Sequence, residues 1–176
     1  MTPIIRLATV DDLAAINAIY NYYVLNSSAT YQTQPATAEE RLQWFQAHGP
    51  AHPIIVLESP GATVAECRSV GASAALLGWA SLSPFHSRAA YRFTVENSVY
   101  IHPEYHRRGF GRRMLSELIA RARVLEHHTI IAGIDAEQTA SVALHTALGF
   151  TPAARLEQVG FKFDRWLDVV YLQLLL

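Results

Sequence analysis

The chain has 176 residues, 51% of them hydrophobic and 16% charged, with a formal net charge of −1. This balance excludes a disordered chain, and it argues against broad electrostatic binding to nucleic acid or to a membrane surface. The length suits a single domain, residues 1–176, with one sizeable core. Cys67 is the only cysteine, so no internal disulfide and no cysteine-based metal site is expected. A reducing, cytoplasmic setting fits. The N-terminus lacks a long apolar run after a basic start, and no segment approaches the roughly 18 uninterrupted apolar residues of a membrane span. The eight histidines are scattered and form no HExxH pattern, so no metal is expected.

Ile4 to Ala8 reads as a short strand. Thr9 then looks like an N-cap, with Asp12 three residues on. Leu13, Ile16, Tyr20 and Tyr23 follow at helical spacing and predict a helix to about Leu25. Asn26 to Pro35 is polar and turn-rich. Thr37-Ala38-Glu39-Glu40 is a second capping box, ahead of Leu42, Trp44 and Phe45. Pro53 to Glu58 is rich in β-formers, Ser59 to Ser73 reads as a surface loop, and Ala75 to Ser83 as the next strand. Pro84 cannot donate to a ladder and is expected to end that strand. Pro84 to Ala90 then reads as a loop and Tyr91 to Ile101 as a long strand. Gly109 opens a helix lined by Leu115, Leu118, Ile119 and Ala122. Thr129 to Ile134 reads as a buried strand. Val142, His145 and Leu148 mark a short helix closed by Gly149, and β-structure is expected over Val159–Phe163 and Trp166–Leu174. The order is β-α-α-β-β-β-α-β-α-β-β, a mixed α/β domain with a mostly antiparallel front half.

The densest chemical signal is His106-Arg107-Arg108-Gly109-Phe110-Gly111-Arg112-Arg113, between the strand ending at Ile101 and an amphipathic helix. Two glycines let backbone N–H groups approach a ligand, and a helix start offers unpaired donors and partial positive charge. Four arginines at that end are unfavourable by roughly 0.3–1 kcal/mol for each charge close to the terminus. A bound phosphate reverses the sign of that contribution. The alternative is a solvated basic turn that tolerates the repulsion. The Walker pattern GxxxxGK[ST] is absent, and Gly109-Phe110-Gly111 fails GxGxxG because Met114 holds the third position. Basic residues do not extend along a face, so no nucleic-acid site is expected.

This segment resembles the Q/R-x-x-G-x-G/A motif of the GNAT acetyltransferase superfamily, with His106 in place of the usual Gln or Arg. The resemblance narrows to the phosphinothricin and methionine sulfoximine acetyltransferases and covers nearly the whole chain. Ile19-Tyr20-Asn21 is similar to that group's first helix and Arg88-Ala89-Ala90-Tyr91 to its substrate loop. Thr94 to Ile101 resembles its catalytic strand, Ser141 to Phe150 its late helix and Val159 to Asp168 its C-terminal hairpin. The resemblance implies the GNAT fold, a mixed sheet flanked by helices. It implies acetyl-CoA as co-substrate, with Val99, Tyr100 and Ile101 along the pantetheine arm and Arg107, Arg108, Gly109, Phe110, Gly111 and Arg112 around the pyrophosphate. Gln138 stands where the family has an Asn that touches the cofactor.

Acetyl transfer to an amine needs a base, because most alkyl amines are protonated at neutral pH. Glu96, in the apolar run Val95 to Ile101, reads by periodicity alone as a solvent-facing strand residue. The resemblance makes it the catalytic base, with a pKa raised by burial. His145 alone reads as a core histidine, and the resemblance makes it a catalytic auxiliary. A tyrosine acid is not available at position 150, which is Phe150. Arg88 suits a carboxylate or phosphinate, or is an ordinary loop arginine. Ala89 and Ala90 share its substrate loop, and Tyr91 lines an amine pocket or simply packs. Tyr31 and Trp166 are pocket, core or dimer-interface residues. The expected function is acetyl transfer to a small amino acid analogue by a homodimer. The alternatives are another small amine, a protein N-terminus, or a non-catalytic acyl-CoA-binding module.

Overall fold

The computed structural model describes residues 2–59 and 76–176. A seven-stranded sheet runs through them in the order β1-β2-β3-β4-β5-β7-β6. Its strands are β1 (Ile4–Leu7), β2 (Ile54–Glu58), β3 (Leu76–Pro84), β4 (Thr94–Ile101), β5 (Thr129–Asp135), β6 (Thr151–Lys162) and β7 (Arg165–Leu175). Among the described strands only β4 and β5 pair in parallel; every other pairing is antiparallel. The helices are α1 (Leu13–Asn26), α2 (Ala38–Gln46), α3 (Phe110–Val124) and α4 (Thr139–Thr146). The element order is the one expected from the sequence.

Alternation along the strands builds two cores. On one face, α3 buries Met114, Leu115, Leu118, Ile119 and Ala122 against Val95, Ile130, Ala132 and Leu172. On the other, α1 buries Leu13, Ile16, Ile19 and Tyr23 against Val56 and Trp79, and α2 closes over them. Each large apolar side chain buried this way contributes about 1.5–3 kcal/mol relative to exposure. Both predicted capping boxes form. Thr9 N–H donates to Asp12 Oδ2 at 2.8 Å, and Thr37 N–H donates to Glu40 Oε2 at 2.7 Å. Arg6 grips the Asp12 carboxylate with two nitrogens, at 2.6 and 2.8 Å, and so ties β1 to the entry of α1. Burial pushes the Asp12 carboxyl up, but Arg6 and the Thr9 N–H outweigh it and hold the group below the usual range.

Four boundaries differ from the sequence expectation. A 3₁₀ turn at Val10–Asp12 precedes α1. The strand expected from Tyr91 starts at Thr94, because Tyr91 N–H and Arg92 N–H close a 3₁₀ turn onto Arg88 and Ala89. Pro84 is itself the last residue of β3, opposite Val95. β6 starts at Thr151 rather than Val159, an edge strand exposed along nearly its whole length. Pro152 and two register shifts against β7 erase the alternation that signals a strand. The expected loop Ser59–Ser73, with Cys67, lies outside the described residues apart from Ser59 itself.

Candidate active site

The parallel pairing of β4 and β5 covers only Thr94–Glu96 against Thr129–Ile131. Beyond it the two strands splay, and β4 keeps β3 as its only partner while β5 keeps β7. The gap opens into a cleft of about 600 Å³ that runs from Glu96 along β4 to the start of α3. Backbone groups alternate along a strand. The Phe93 carbonyl accepts from β5-side N–H groups, and the Thr94 carbonyl accepts from Phe85 on the β3 side. Asn97, Val99 and Ile101 therefore turn their backbone groups into the gap, where no strand pairs with them.

The far end of the gap is closed by side chains. The Tyr23 hydroxyl donates to the Ile101 carbonyl and meets His106 Nε2 at 2.6 Å. His106 Nε2 also lies 3.1 Å from that carbonyl, which assigns the ring proton to Nε2, since a carbonyl can only accept. Burial raises the Tyr23 hydroxyl well above the usual tyrosine range, so it stays a donor.

At Gly109, the N-cap of α3, φ is 78° and no side chain caps the helix. A Cβ at this glycine would meet open space, so the left-handed backbone is what calls for glycine there. Gly111 is different: a Cβ would fall 3.3 Å from Leu144 Cδ2, so its bareness lets α3 approach α4. Arg107, Arg108, Arg112 and Arg113 are exposed around this helix start and form no ion pair among the described residues. Arg108 stacks over the Tyr105 ring. First-turn N–H groups beside unpaired arginines fit a diphosphate. The cleft, its bare strand backbone and this cradle together fit a coenzyme A thioester.

Glu96 and His145 stand on opposite faces of the sheet. Glu96 shares the α1/α2 face with Ser98 and Tyr100, while Val95, Val99 and Ile101 pack toward α3. The Glu96 carboxyl is half-buried against Gly133, and desolvation raises its pKa. His145 is buried under α4. Its Nδ1 donates to the Ser141 carbonyl at 2.8 Å, and its Nε2 accepts from Asn97 Nδ2 at 3.0 Å. Burial lowers its pKa, consistent with a neutral ring. The structure therefore joins His145 to β4 through Asn97 rather than to Glu96. Phe150, fully buried, meets the His145 ring edge-on at 5.0 Å.

The remaining candidates divide. Val99, Tyr100, Ile101, Arg107, Gly109, Phe110, Gly111 and Gln138 all line the cleft. The Gln138 amide, at the N-cap of α4, donates to Ser28 Oγ at 3.1 Å. Tyr31 lines the cleft from the α1–α2 connection, with its pKa pushed up to about 12, by burial first and then by nearby carboxylates. Arg88, Ala89, Ala90 and Tyr91 line neither this cleft nor the one under α2 described below. They form an exposed turn at the outer end of the β3–β4 hairpin, where Tyr91 packs on Phe85 and His86. Trp166 is exposed on the β6–β7 hairpin. Three contributors were missed in the sequence: Tyr23, Asn97 and Gly133. Tyr23 carried a signal as the residue one turn beyond Tyr20, and Asn97 as a polar residue inside an apolar strand.

Residues 16–150 match the model of the Acetyltransferase (GNAT) family. The chain is 39% identical over 171 residues to an L-methionine sulfoximine/L-methionine sulfone acetyltransferase of Salmonella typhimurium, covering 97% of this chain and 92% of that one. It is 38% identical to a phosphinothricin N-acetyltransferase of Alcaligenes faecalis over 96% of this chain and 80% of the other. Its backbone superposes on a GNAT superfamily phosphinothricin acetyltransferase of Sinorhizobium meliloti solved in complex with acetyl-CoA. The TM-score is 0.89 at 37% identity, covering 100% and 89% of the two chains. The chain belongs to the GNAT acetyltransferase family. It is an N-acetyltransferase with acetyl-CoA as co-substrate.

Proposed function

We propose that the protein acetylates the primary amine of a small amino acid analogue of the phosphinothricin or methionine sulfoximine type, the substrates named for its relatives. The observation that carries this reading is the half-buried Glu96 carboxyl, poised at the mouth of the β4–β5 gap without a charged partner among the described residues. Acetyl-CoA supplies an activated acyl carbon when bound. Val99 and Ile101 offer backbone groups for the pantetheine arm, and Tyr100 lies between them. The helix start from Arg107 to Arg112 offers donors for the diphosphate. Gln138 borders the arm from α4. Glu96 takes the proton of the incoming ammonium, so that a neutral amine attacks the acyl carbon; the C–N bond forms as the C–S bond breaks, and the leaving thiolate takes up the proton the new amide nitrogen sheds, giving free coenzyme A thiol. His145 assists by fixing Asn97 at the gap, and the exposed Arg88–Tyr91 turn meets the acceptor as it arrives.

The same reading includes a homodimer in the cytoplasm. Its support is the hairpin β6–β7, which exposes Leu156, Val159, Phe161, Phe163 and Trp166, an apolar surface suited to a second copy. Thiol release from acetyl-CoA across an amine panel tests the function. Turnover on phosphinothricin or methionine sulfoximine that drops about 10²–10⁴-fold in Glu96→Gln is expected. Tight acetyl-CoA binding without turnover of any amine refutes it and leaves a binding module.

A further inference from the structure

A second cleft, of about 410 Å³, lies between α2 and the β3–β4 hairpin and shares Ser98 and Tyr100 with the first. Its wall holds Arg41, which is only 4% exposed. The guanidinium is packed among three rings, 4.5 Å from Tyr20, 4.6 Å from Trp44 and 5.9 Å from Trp79. Its Nε donates to Asn17 Oδ1 at 3.1 Å, and its two terminal nitrogens have no acceptor among the described residues. The neighbouring Glu40 carboxylate is engaged at the N-cap of its own helix. Beside Arg41, the Trp79 indole N–H is buried and also without an acceptor. An unpaired buried charge is costly, and burial works against the charge of Arg41. Every unsatisfied group at this spot is a donor, so the missing partner is an acceptor.

The floor of the cleft gives the spacing of that acceptor from the reacting amine. Cross-strand pairs step along one face from Trp79–Tyr100 to Ser81–Ser98, which line this cleft, and on to Ser83–Glu96, where Glu96 belongs to the first cleft that meets this one at Ser98 and Tyr100. Four residue steps along β4 separate Tyr100 from Glu96, roughly 13 Å of backbone. A span of that length suits a chain of several methylenes between an amine at Glu96 and an anion at Arg41. We propose that Arg41 binds an oxyanion at the far end of the amine substrate, a carboxylate or phosphinate distal to the amine that Glu96 deprotonates. Arg41 is thereby a specificity-determining residue that selects the acceptor by length and terminal charge. The assignment rests on the acceptor reading of the Glu96 face.

Two measurements test it. Trp44 and Trp79 are two of the three tryptophans, so intrinsic fluorescence reports on the site without turnover. Glutarate and δ-aminovalerate are expected to shift the wild-type emission saturably, and n-pentylamine is not. Arg41→Gln abolishes the response, and Arg41→Lys keeps a weaker one, having charge without the fork. In turnover, kcat/KM is followed over glycine, β-alanine, γ-aminobutyrate, δ-aminovalerate and ε-aminohexanoate, each beside the alkylamine of equal length. The ratio of acid to alkylamine is expected to rise along the series. Arg41→Gln lowers it at least about tenfold for the longer acids, chiefly through KM, the scale of a charge-assisted hydrogen bond. A wild-type emission indifferent to glutarate overturns the proposal, and so does an equal loss on acids and alkylamines in both variants. A saturable carboxylate response with no amine turned over sinks the acceptor reading instead and leaves the anion site standing.

Discussion

Gly133→Ala separates the position of the Glu96 carboxyl from the stability of the sheet. Gly133 lies on β5 opposite Tyr171. A Cβ built there falls 3.1 Å from Glu96 Oε1 and 3.2 Å from Tyr171 Cε1. Carbon contacts are comfortable at about 3.5–4.0 Å, so the carboxyl must retreat by roughly half an ångström. Glutamate is flexible, and alanine in extended backbone gains about 0.4–1 kcal/mol by restricting the unfolded chain. The two effects oppose each other, and the net change in stability is expected within about 1 kcal/mol, a few degrees of melting temperature. Catalysis is less forgiving, since a displacement of about 1 Å costs on the order of 10²-fold. Half that displacement gives a kcat loss of roughly tenfold. Steady-state thiol release reads kcat and both KM values, and a thermal melt reads stability. The KM for acetyl-CoA should hold, because the cradle at Gly109–Gly111 is on the other face. Full kcat in Gly133→Ala would show that the Glu96 carboxyl has no defined task at that contact.

A carboxylate base must be ionised, and burial raises the pKa of Glu96, the proposed base. The acid limb of kcat/KM should therefore lie above the ordinary glutamate value of about 4.3 and vanish in Glu96→Gln. Asp12 is held below its ordinary value, so its contribution to stability is present above the unfolded pKa of about 3.9 and is lost as pH falls through the folded value. Asp12→Asn should cost about 1–3 kcal/mol near neutrality, in denaturant melts, and progressively less under strong acid. Gly160→Ala places a Cβ 2.6 Å from the Tyr31 ring, whose hydroxyl is pinned to the Asp168 carbonyl at 3.0 Å. The ring cannot swing away, and a loss of about 1–3 kcal/mol is expected in a thermal melt; an unchanged melt would mean the hairpin shifts freely.

Much of this molecule was legible in the sequence, because local signals and global fold agree over most of it. Thr9 and Thr37 cap where capping boxes predict, and Gly109 and Gly149 sit at positive φ where helix-end glycines predict. Glu96 was different: its strand alternation looks the same whether its face meets solvent or a cleft, and only the splay of β5 away from β4 decides between them. That splay is a tertiary fact with no local signature. The separation of Glu96 from His145 was also hidden, because it depends on the odd–even register of Asn97 and Glu96 against two different helix layers. The first part of β6, Thr151–Gln158, stayed invisible because a doubly exposed edge strand has no inside to pattern. Arg41 drew no reading from the sequence, since nothing in Glu40-Arg41-Leu42 tells that the rings of Tyr20, Trp44 and Trp79 surround it.

The β4–β5 splay has a consequence for the order of events. The two strands form a fork, joined at one end by three ladder rungs and open at the other. The proposed diphosphate cradle lies toward α3 while Glu96 faces the α1/α2 side, so on this reading the two ligands approach one cleft from opposite faces. On that reading, neither needs the other to leave before it can enter. A molecule in which the amine is already linked to the coenzyme can slide in sideways between the prongs without parting a single strand. Inhibitors of that shape should compete with both substrates at once.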